Sequence, residues 1–218
     1  RYARTCSPFY RDAWRSLPDD VALDALPVVG RRELMARFDD WVTDRAVNRR
    51  GVERFLEDRS HIGDLYLDGF VVWKSSGTTG EPGIYVQDAV ALSTYDALLA
   101  VQLQAAHLAG RYAWGWLSQG GRAALIAATG DHFASIASWQ RVCRGSPWPS
   151  ARAFSVMDPL PDIVAALNEY QPAFLASYPT TLALLAGEQR EGRLHIAPAC
   201  IWSGGECLAP AAAKAIEH

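Results

Sequence analysis

Residues 158–192 read DPLPDIVAALNEYQPAFLASYPTTLALLAGEQREG, and this stretch decides the fold. Asp158 followed by Pro159 is an N-cap with proline at the first helical position. Leu160, Ile163, Val164, Leu167 and Tyr170 then recur at helical spacing on one face, and Pro172 ends the helix. Residues 173–176 read as a strand, and residues 179–190 as a second helix stopped near Gly192. Helix, strand and helix joined by short connections are the units of a parallel sheet with crossovers.

The same alternation runs outward from this stretch. Residues 123–127 (AALIA) and 153–156 read as strands with a helix between them over 134–143. Residues 200–202 form a further strand, which leads into SGGE and a helix from Pro210. Upstream, the short β-type runs 69–73 and 84–86 bracket SSGTTGEPG, residues 75–83, as strand, loop, strand. Asp88 can cap a long helix reaching about residue 109. Leu92, Tyr95, Leu99, Leu103 and Ala106 make one apolar stripe on it, and Leu98, Val101, Ala105 and Leu108 make another. Two stripes predict burial on more than one side, and the apolar residues of 89–109 and 180–187 read as core.

The first residues have a different texture. Tyr2, Cys6, Phe9, Tyr10, Trp14 and Leu17 suit an amphipathic helix that Pro8 bends or starts. A turn-rich segment over 18–29, a short helix over 31–42 and a charge-dense solvated face over 45–58 follow. The expected architecture is α/β: mostly parallel sheets with flanking helices, preceded by a helical N-terminal segment. The division is a helical segment over 1–63 and an α/β nucleotide-binding region over 64–218.

Composition excludes several classes. The chain has 218 residues, a net charge of −3 and a pI near 6.0, which gives no support to nucleic acid as a partner. No apolar run approaches the roughly 18–20 residues of a membrane helix, and the start shows no signal-peptide pattern. Cys6, Cys143, Cys200 and Cys207 form no CxxC pair, and the histidines form no HxxxH or HExxH pattern. The expectation is four reduced, mostly buried cysteines in a cytoplasmic protein.

The sharpest feature is Ser75-Ser76-Gly77-Thr78-Thr79-Gly80. Small hydroxylated and glycyl residues contribute no packing, so the value of such a loop lies in its backbone and hydroxyls. Glycines allow close approach to a ligand, and successive N–H groups with hydroxyls make a concave donor array suited to phosphate oxygens. GxxxxGK[ST], GxGxxG after a strand and GxSxG are all missing, which disfavours a P-loop, a Rossmann crevice and a serine hydrolase.

SSGTTGEPG resembles the phosphate-loop signature of the adenylate-forming superfamily of acyl-CoA synthetases, luciferases and peptide-synthetase adenylation domains. Ser203-Gly204-Gly205-Glu206-Cys207-Leu208-Ala209-Pro210 is similar to the GGExLxP segment that borders the adenine pocket there. In texture the chain looks most like the phenylacetate–CoA ligase branch, with its coenzyme F390 synthetase and CapK-like relatives. Residues 26–34 and 167–210 carry that likeness. One departure stands out: most of the superfamily has a lysine shortly after the loop, and here that place is Gly83, as it often lacks lysine in the phenylacetate branch. Glu81 adds a negative charge beside the loop.

The resemblance implies attack of a substrate carboxylate on the α-phosphate of ATP, giving acyl-AMP and pyrophosphate, with Mg²⁺ on the phosphates and CoA as the expected acceptor. A protein or sugar acceptor, or a degenerate non-catalytic nucleotide-binding module, are the alternatives. By resemblance, Ser75, Ser76, Gly77, Thr78, Thr79 and Gly80 would cradle the phosphates, with Thr78 and Thr79 catalytic and Thr79 beside Mg²⁺. Gly204, Gly205 and Glu206 would border the adenine. Gly130-Asp131-His132-Phe133 follows a strand and so lies at a carboxyl end, where open α/β sheets bind ligands. His132 either faces the carboxylate or phosphate or is hydrogen-bonded to backbone, and Phe133 would line the acyl site. Tyr178 is a pocket residue or a helix-entry staple. Trp114, Trp116 and Trp202 line an acyl cavity or belong to the core. The chain, starting at Arg1 and stopping within a helix, is expected to be the N-terminal half of such a ligase, lacking its metal-binding Glu, ribose Asp and C-terminal lid, and inactive alone.

Overall fold

A computed structural model of the chain describes residues 1–75, 80, 82–105, 118–145 and 150–217. Its centre is a four-stranded sheet of β4 (Ala123–Ala127), β5 (Ala151–Ser155), β6 (Phe174–Ser177) and β7 (Cys200–Ser203), in the order β5-β4-β6-β7 with every neighbour parallel. Three helices connect these strands: α7 (Ala134–Gly145), α8 (Leu160–Tyr170) and α9 (Pro179–Arg190). The fold is therefore α/β, as the alternation predicts.

Side chains alternate along β4 and are buried on both faces. Ala124 and Ile126 join Ile163, Val164, Leu167, Leu175, Leu182 and Leu185 beneath α8 and α9. Leu125 and Ala127 join Ile136 of α7 on the other face, with Phe133, Trp139, Phe174, Tyr178 and Trp202 around them. Burial on both faces is what a parallel strand flanked by helices requires. The chain leaves β4 for β5 on one side and returns to β6 on the other. The sheet thus changes direction at β4, and open α/β sheets bind ligands outside the strand ends at such a point.

The helix ends differ slightly from the periodicity. Asp158 is not the N-cap of α8; Pro159 takes that position, and the Asp158 N–H donates to the Ser155 carbonyl in the preceding turn. The helix closes on Gln171 in the left-handed conformation (φ 50°), held by its N–H to the Leu167 carbonyl and its side-chain amide to the Asn168 and His195 carbonyls.

A second, antiparallel sheet precedes the first. β1 (Leu65–Tyr66), β2 (Phe70–Lys74) and β3 (Ile84–Gln87) lie in that order, and Lys74 of β2 stands opposite Ile84 of β3. Its core is shared with the N-terminal helices: Met35, Phe38, Val47, Val52, Leu56, Tyr66, Val72 and Ile84 pack together.

Two expected helices are each broken in two. Ser7, in extended conformation, separates α1 (Tyr2–Cys6) from α2 (Pro8–Ala13), its hydroxyl accepting from the Tyr10 N–H and donating to the Asp40 carbonyl. Pro8 starts α2, as proline at the first helical position can. Arg37 leaves helical geometry between α3 (Arg31–Ala36) and α4 (Phe38–Trp41). The charge-dense stretch becomes α5 (Arg49–Glu57), capped by the Asn48 side chain. It is solvated on one side only, since Val52 and Leu56 are buried.

The long helix α6 (Ala89–Ala105) departs most from expectation. Asp88 caps it through the Ala91 N–H, but Val90, Tyr95, Leu98, Leu99 and Val101 are exposed rather than core. Tyr95 meets Trp73 edge to face and Asp96 pairs with Arg141. Apolar periodicity states that a helix can be covered, not that the described residues supply the covering layer. In α9 the reading holds for Leu182 and Leu185, whereas Leu184 is exposed. The cysteines also differ: all are free, and none is fully buried, with Cys207 exposed. Burial pushes the Cys143 and Cys200 thiols above their ordinary range. Among the described residues, no helix is long and apolar enough to cross a membrane.

Candidate functional site

The Ser/Thr/Gly loop springs from a closed neck. The Ser75 N–H donates to the Gly83 carbonyl at 2.9 Å, and the Ser75 hydroxyl accepts from the Gly83 N–H at 2.8 Å. Ser75 thus holds the loop ends together with its own side chain. Ser76, Gly77, Thr78, Thr79 and Glu81 lie outside the described residues, as do Trp114 and Trp116. Gly80 has a φ of +132°, which an L side chain rarely adopts. A Cβ on Gly83 would lie 2.8 Å from the Tyr85 hydroxyl and 3.0 Å from Cδ of Arg31. Any side chain there would have to displace both.

The neck is tied to the carboxyl end of β4. The Lys74 N–H donates to the His132 carbonyl at 2.8 Å, and Lys74 pairs with Phe133 as an isolated parallel bridge. The Lys74 ammonium meets the Asp131 carboxylate at 2.6 Å. Burial would raise the Asp131 carboxyl, but the Lys74 ammonium and the His132 N–H outweigh it and hold the group below its usual range. Lys74 and Asp131 carry no role in the sequence reading. The signal available was a lysine placed directly before the loop, without any sign of its partner.

His132 is completely buried. Its Nε2 hydrogen-bonds the Asp58 carbonyl at 3.0 Å, Phe55 packs beside the ring, and Nδ1 has no hydrogen-bond partner among the described residues. Of the two sequence readings, this geometry is the backbone-bonded one. Touching a substrate would require the ring to leave its enclosure. Phe133 is half-buried against the cluster of Leu125, Ala127 and Ile136 on the α7 face of the sheet.

Two further strand ends complete the group. Tyr178 follows β6 and precedes α9, and its hydroxyl accepts from the Ala128 N–H just past β4, at 3.4 Å. The Ser177 hydroxyl donates to the Ile126 carbonyl, and the Gly204 N–H to the Ser177 carbonyl, so β4, β6 and the turn after β7 are linked in sequence. Gly205 (φ +80°) lies on the Tyr178 ring. The Glu206 carboxylate accepts from the Thr180 N–H at 3.2 Å and hydroxyl at 2.8 Å, capping the first turn of α9. Trp202, half-buried, packs against the same cluster of Leu125, Ala127 and Ile136 as Phe133 and Tyr178 do.

The loop neck, the turn after β4, Tyr178 and the glycines after β7 therefore gather at the carboxyl end of the parallel sheet. Among the described residues, no group of three or more His, Cys, Asp or Glu comes together to hold a metal ion. An open groove of about 880 Å³ lies elsewhere, between α5 and the turn after it, lined by Arg54, Phe55, Asp58, Arg59 and His61 among others. It includes none of the strand-end residues.

No protein-family model matches the chain, and no curated protein does. Solved structures do. Over 99% of its length the chain aligns with an open conformation of 2-hydroxyisobutyryl-CoA ligase in complex with 2-HIB-AMP and CoA, at 21% identity and a TM-score of 0.53. It aligns equally with that ligase in the thioesterification state, at 22% identity and a TM-score of 0.55. The chain spans 45% and 43% of the length of these two structures. Likeness at this identity shows a shared fold with part of that CoA ligase.

Proposed function

We propose that the chain is part of an ATP-dependent carboxylate-activating ligase of the phenylacetate–CoA ligase type, with a helical segment over 1–63 and a nucleotide-binding region over 64–218. The observation that carries this reading is the gathering of the loop neck with the ends of β4, β6 and β7, in a fold shared with a CoA ligase. A carboxylate oxygen attacks the α-phosphorus of ATP, the bond to the bridging oxygen breaks, and pyrophosphate leaves with its electron pair. The acyl-AMP carbonyl is then attacked by the CoA thiolate, and AMP leaves. Phosphoryl chemistry of this kind needs positioned donors more than covalent help.

Ser75, Ser76, Gly77, Thr78, Thr79 and Gly80 supply N–H and hydroxyl donors to the phosphates. The Thr79 hydroxyl would be the one protein oxygen offered to Mg²⁺, which would offset charge on the phosphate oxygens. Gly204 and Gly205 let the backbone lie flat against the adenine, with Glu206 at its edge. Phe133 and Tyr178 face the acid, and His132 acts through the Asp131–Phe133 turn it anchors. The partners are a small carboxylic acid, ATP and CoA, or a protein or sugar acceptor in place of CoA, in the cytoplasm.

Carboxylate-dependent exchange of pyrophosphate into ATP by the whole protein tests the reading. Thr78→Ala and Thr79→Ala should each depress exchange at least tenfold. Lack of exchange across a broad acid panel would sink it. The second reading, a nucleotide-binding module without turnover, is favoured by the acidic Glu81 and by Gly83, which stands in the lysine place and where a side chain would have to push the Tyr85 and Arg31 side chains aside. Tight ATP·Mg²⁺ binding without exchange would select it.

A further inference from the structure

Residues 75–83 hold no basic side chain and one acidic one, Glu81. Apart from the Mg²⁺ that accompanies the nucleotide, the loop itself offers no cation to offset the negative charges of a polyphosphate seated there. Lys74 and Lys214 are the only lysines of the chain, and Lys74 stands directly before the loop. We propose that Lys74 is the cation that receives the terminal phosphates of the nucleotide, released from Asp131 when they arrive. This rests on the nucleotide reading above and assigns a residue to it.

Two observations support the assignment. The root of the side chain is fixed, because the Lys74 backbone is pinned to the His132 carbonyl and to Phe133 on one side and to Ile84 on the other. The charged tip is reachable: the Lys74 and Asp131 side chains are 25% and 24% exposed, unlike a sealed structural pair. The four-carbon stem of lysine lets the ammonium swing from carboxylate to phosphate while its backbone stays in β2. Asp131 thus serves as a stand-in anion, keeping the ammonium neutralised until a phosphate displaces the carboxylate. Arg31, which lies against Gly83 on the β3 side, is a competing candidate.

Calorimetric titration of the whole protein with ATP·Mg²⁺ and, separately, with AMP tests the assignment. Lys74→Gln is expected to weaken ATP about tenfold or more and AMP less than about twofold, since AMP lacks the terminal phosphates. Lys74→Arg should retain most ATP affinity. Asp131→Asn, which frees the ammonium, should bind ATP as tightly as the wild type or more so. A purely structural ion pair predicts otherwise: Lys74→Gln and Asp131→Asn would weaken ATP and AMP alike, and that result overturns the assignment. So does unchanged ATP binding by Lys74→Gln with a loss in Arg31→Gln. If Lys74→Gln fails to fold, weakened ATP binding by Asp131→Asn still overturns it. A wild type that binds neither nucleotide removes the nucleotide reading itself, and the assignment with it.

Discussion

Gly205 lies against the ring of Tyr178 with no space for a methyl group between them. A Cβ on Gly205 would stand 2.9 Å from Cε1 and 3.0 Å from Cδ1 of the ring, at a φ of +80°. The contact closes the turn after β7 onto the start of α9, while the Tyr178 hydroxyl reaches the backbone after β4. Three strand ends are set relative to one another by one tyrosine.

Gly205→Ala should therefore lower stability by about 1–3 kcal/mol, combining the left-handed backbone cost with the collision. In a Tyr178→Ser background the collision is gone and only the backbone part remains, about 1 kcal/mol. Urea denaturation of the four proteins gives the coupling directly. Equal costs in both backgrounds would mean that the ring does not constrain the turn.

Glu206 caps α9 through Thr180, so Glu206→Ala should cost about 1 kcal/mol, as loss of a cap does. Glu206→Gln keeps an accepting oxygen and loses only the charge facing the helix N-terminus, about 0.3–1 kcal/mol. That smaller loss should shrink at high salt, because the site is exposed. Thermal melts at two ionic strengths decide it, and a salt-independent difference would speak against the helix-end interaction.

The Asp131 carboxyl is held below its ordinary value of 3.8 despite burial, by the Lys74 ammonium and the His132 N–H. In the unfolded chain the group takes up its proton first as pH falls, so the unfolded state gains protons relative to the folded one. The contribution to stability is complete at neutral pH, erodes as pH drops through about 3.8 and disappears below the folded value. Asp131→Asn should cost about 1–3 kcal/mol near pH 7 and progressively less in acid. Stability curves of both proteins from pH 7 to pH 3 measure this, and a gap that stays constant across that range would contradict the ion pair.

Leu167 is fully buried between α8 and the parallel sheet, and Leu167→Ala should cost about 2–5 kcal/mol. Leu184, exposed on α9, is a matched control, and Leu184→Ala should change stability by no more than about 0.5 kcal/mol. Denaturant midpoints separate the two, and comparable losses would show that the outer face of α9 is covered.

Much of the architecture is legible in local pattern. Leu167 announces its helix because a 3.6-residue period is written in neighbouring residues, and Leu175 announces its strand by lying in a short apolar run between Pro172 and Pro179. The loop after Lys74 is recognisable because runs of Ser, Thr and Gly have no packing use. His132 was ambiguous for a physical reason: its partner is a backbone carbonyl at Asp58, on a different element, and any residue type would present the same oxygen. Lys74 and Asp131 were invisible as a pair because nothing near either residue signals the other.

By itself the sequence determined the alternation of strands and helices, the place of the Ser/Thr/Gly loop between two short strands, and the glycines after β7. These follow from spacing and backbone freedom, which act over a few residues. Only the tertiary structure decided that Lys74 meets Asp131, that Gly205 rests on Tyr178, that His132 is turned to the Asp58 carbonyl, and that Val90, Tyr95, Leu98, Leu99 and Val101 of α6 are exposed. Those outcomes depend on the strand order β5-β4-β6-β7 and on the docking of the hairpin against the end of β4. Which surfaces become neighbours is a property of the assembled layers, and no local period encodes it.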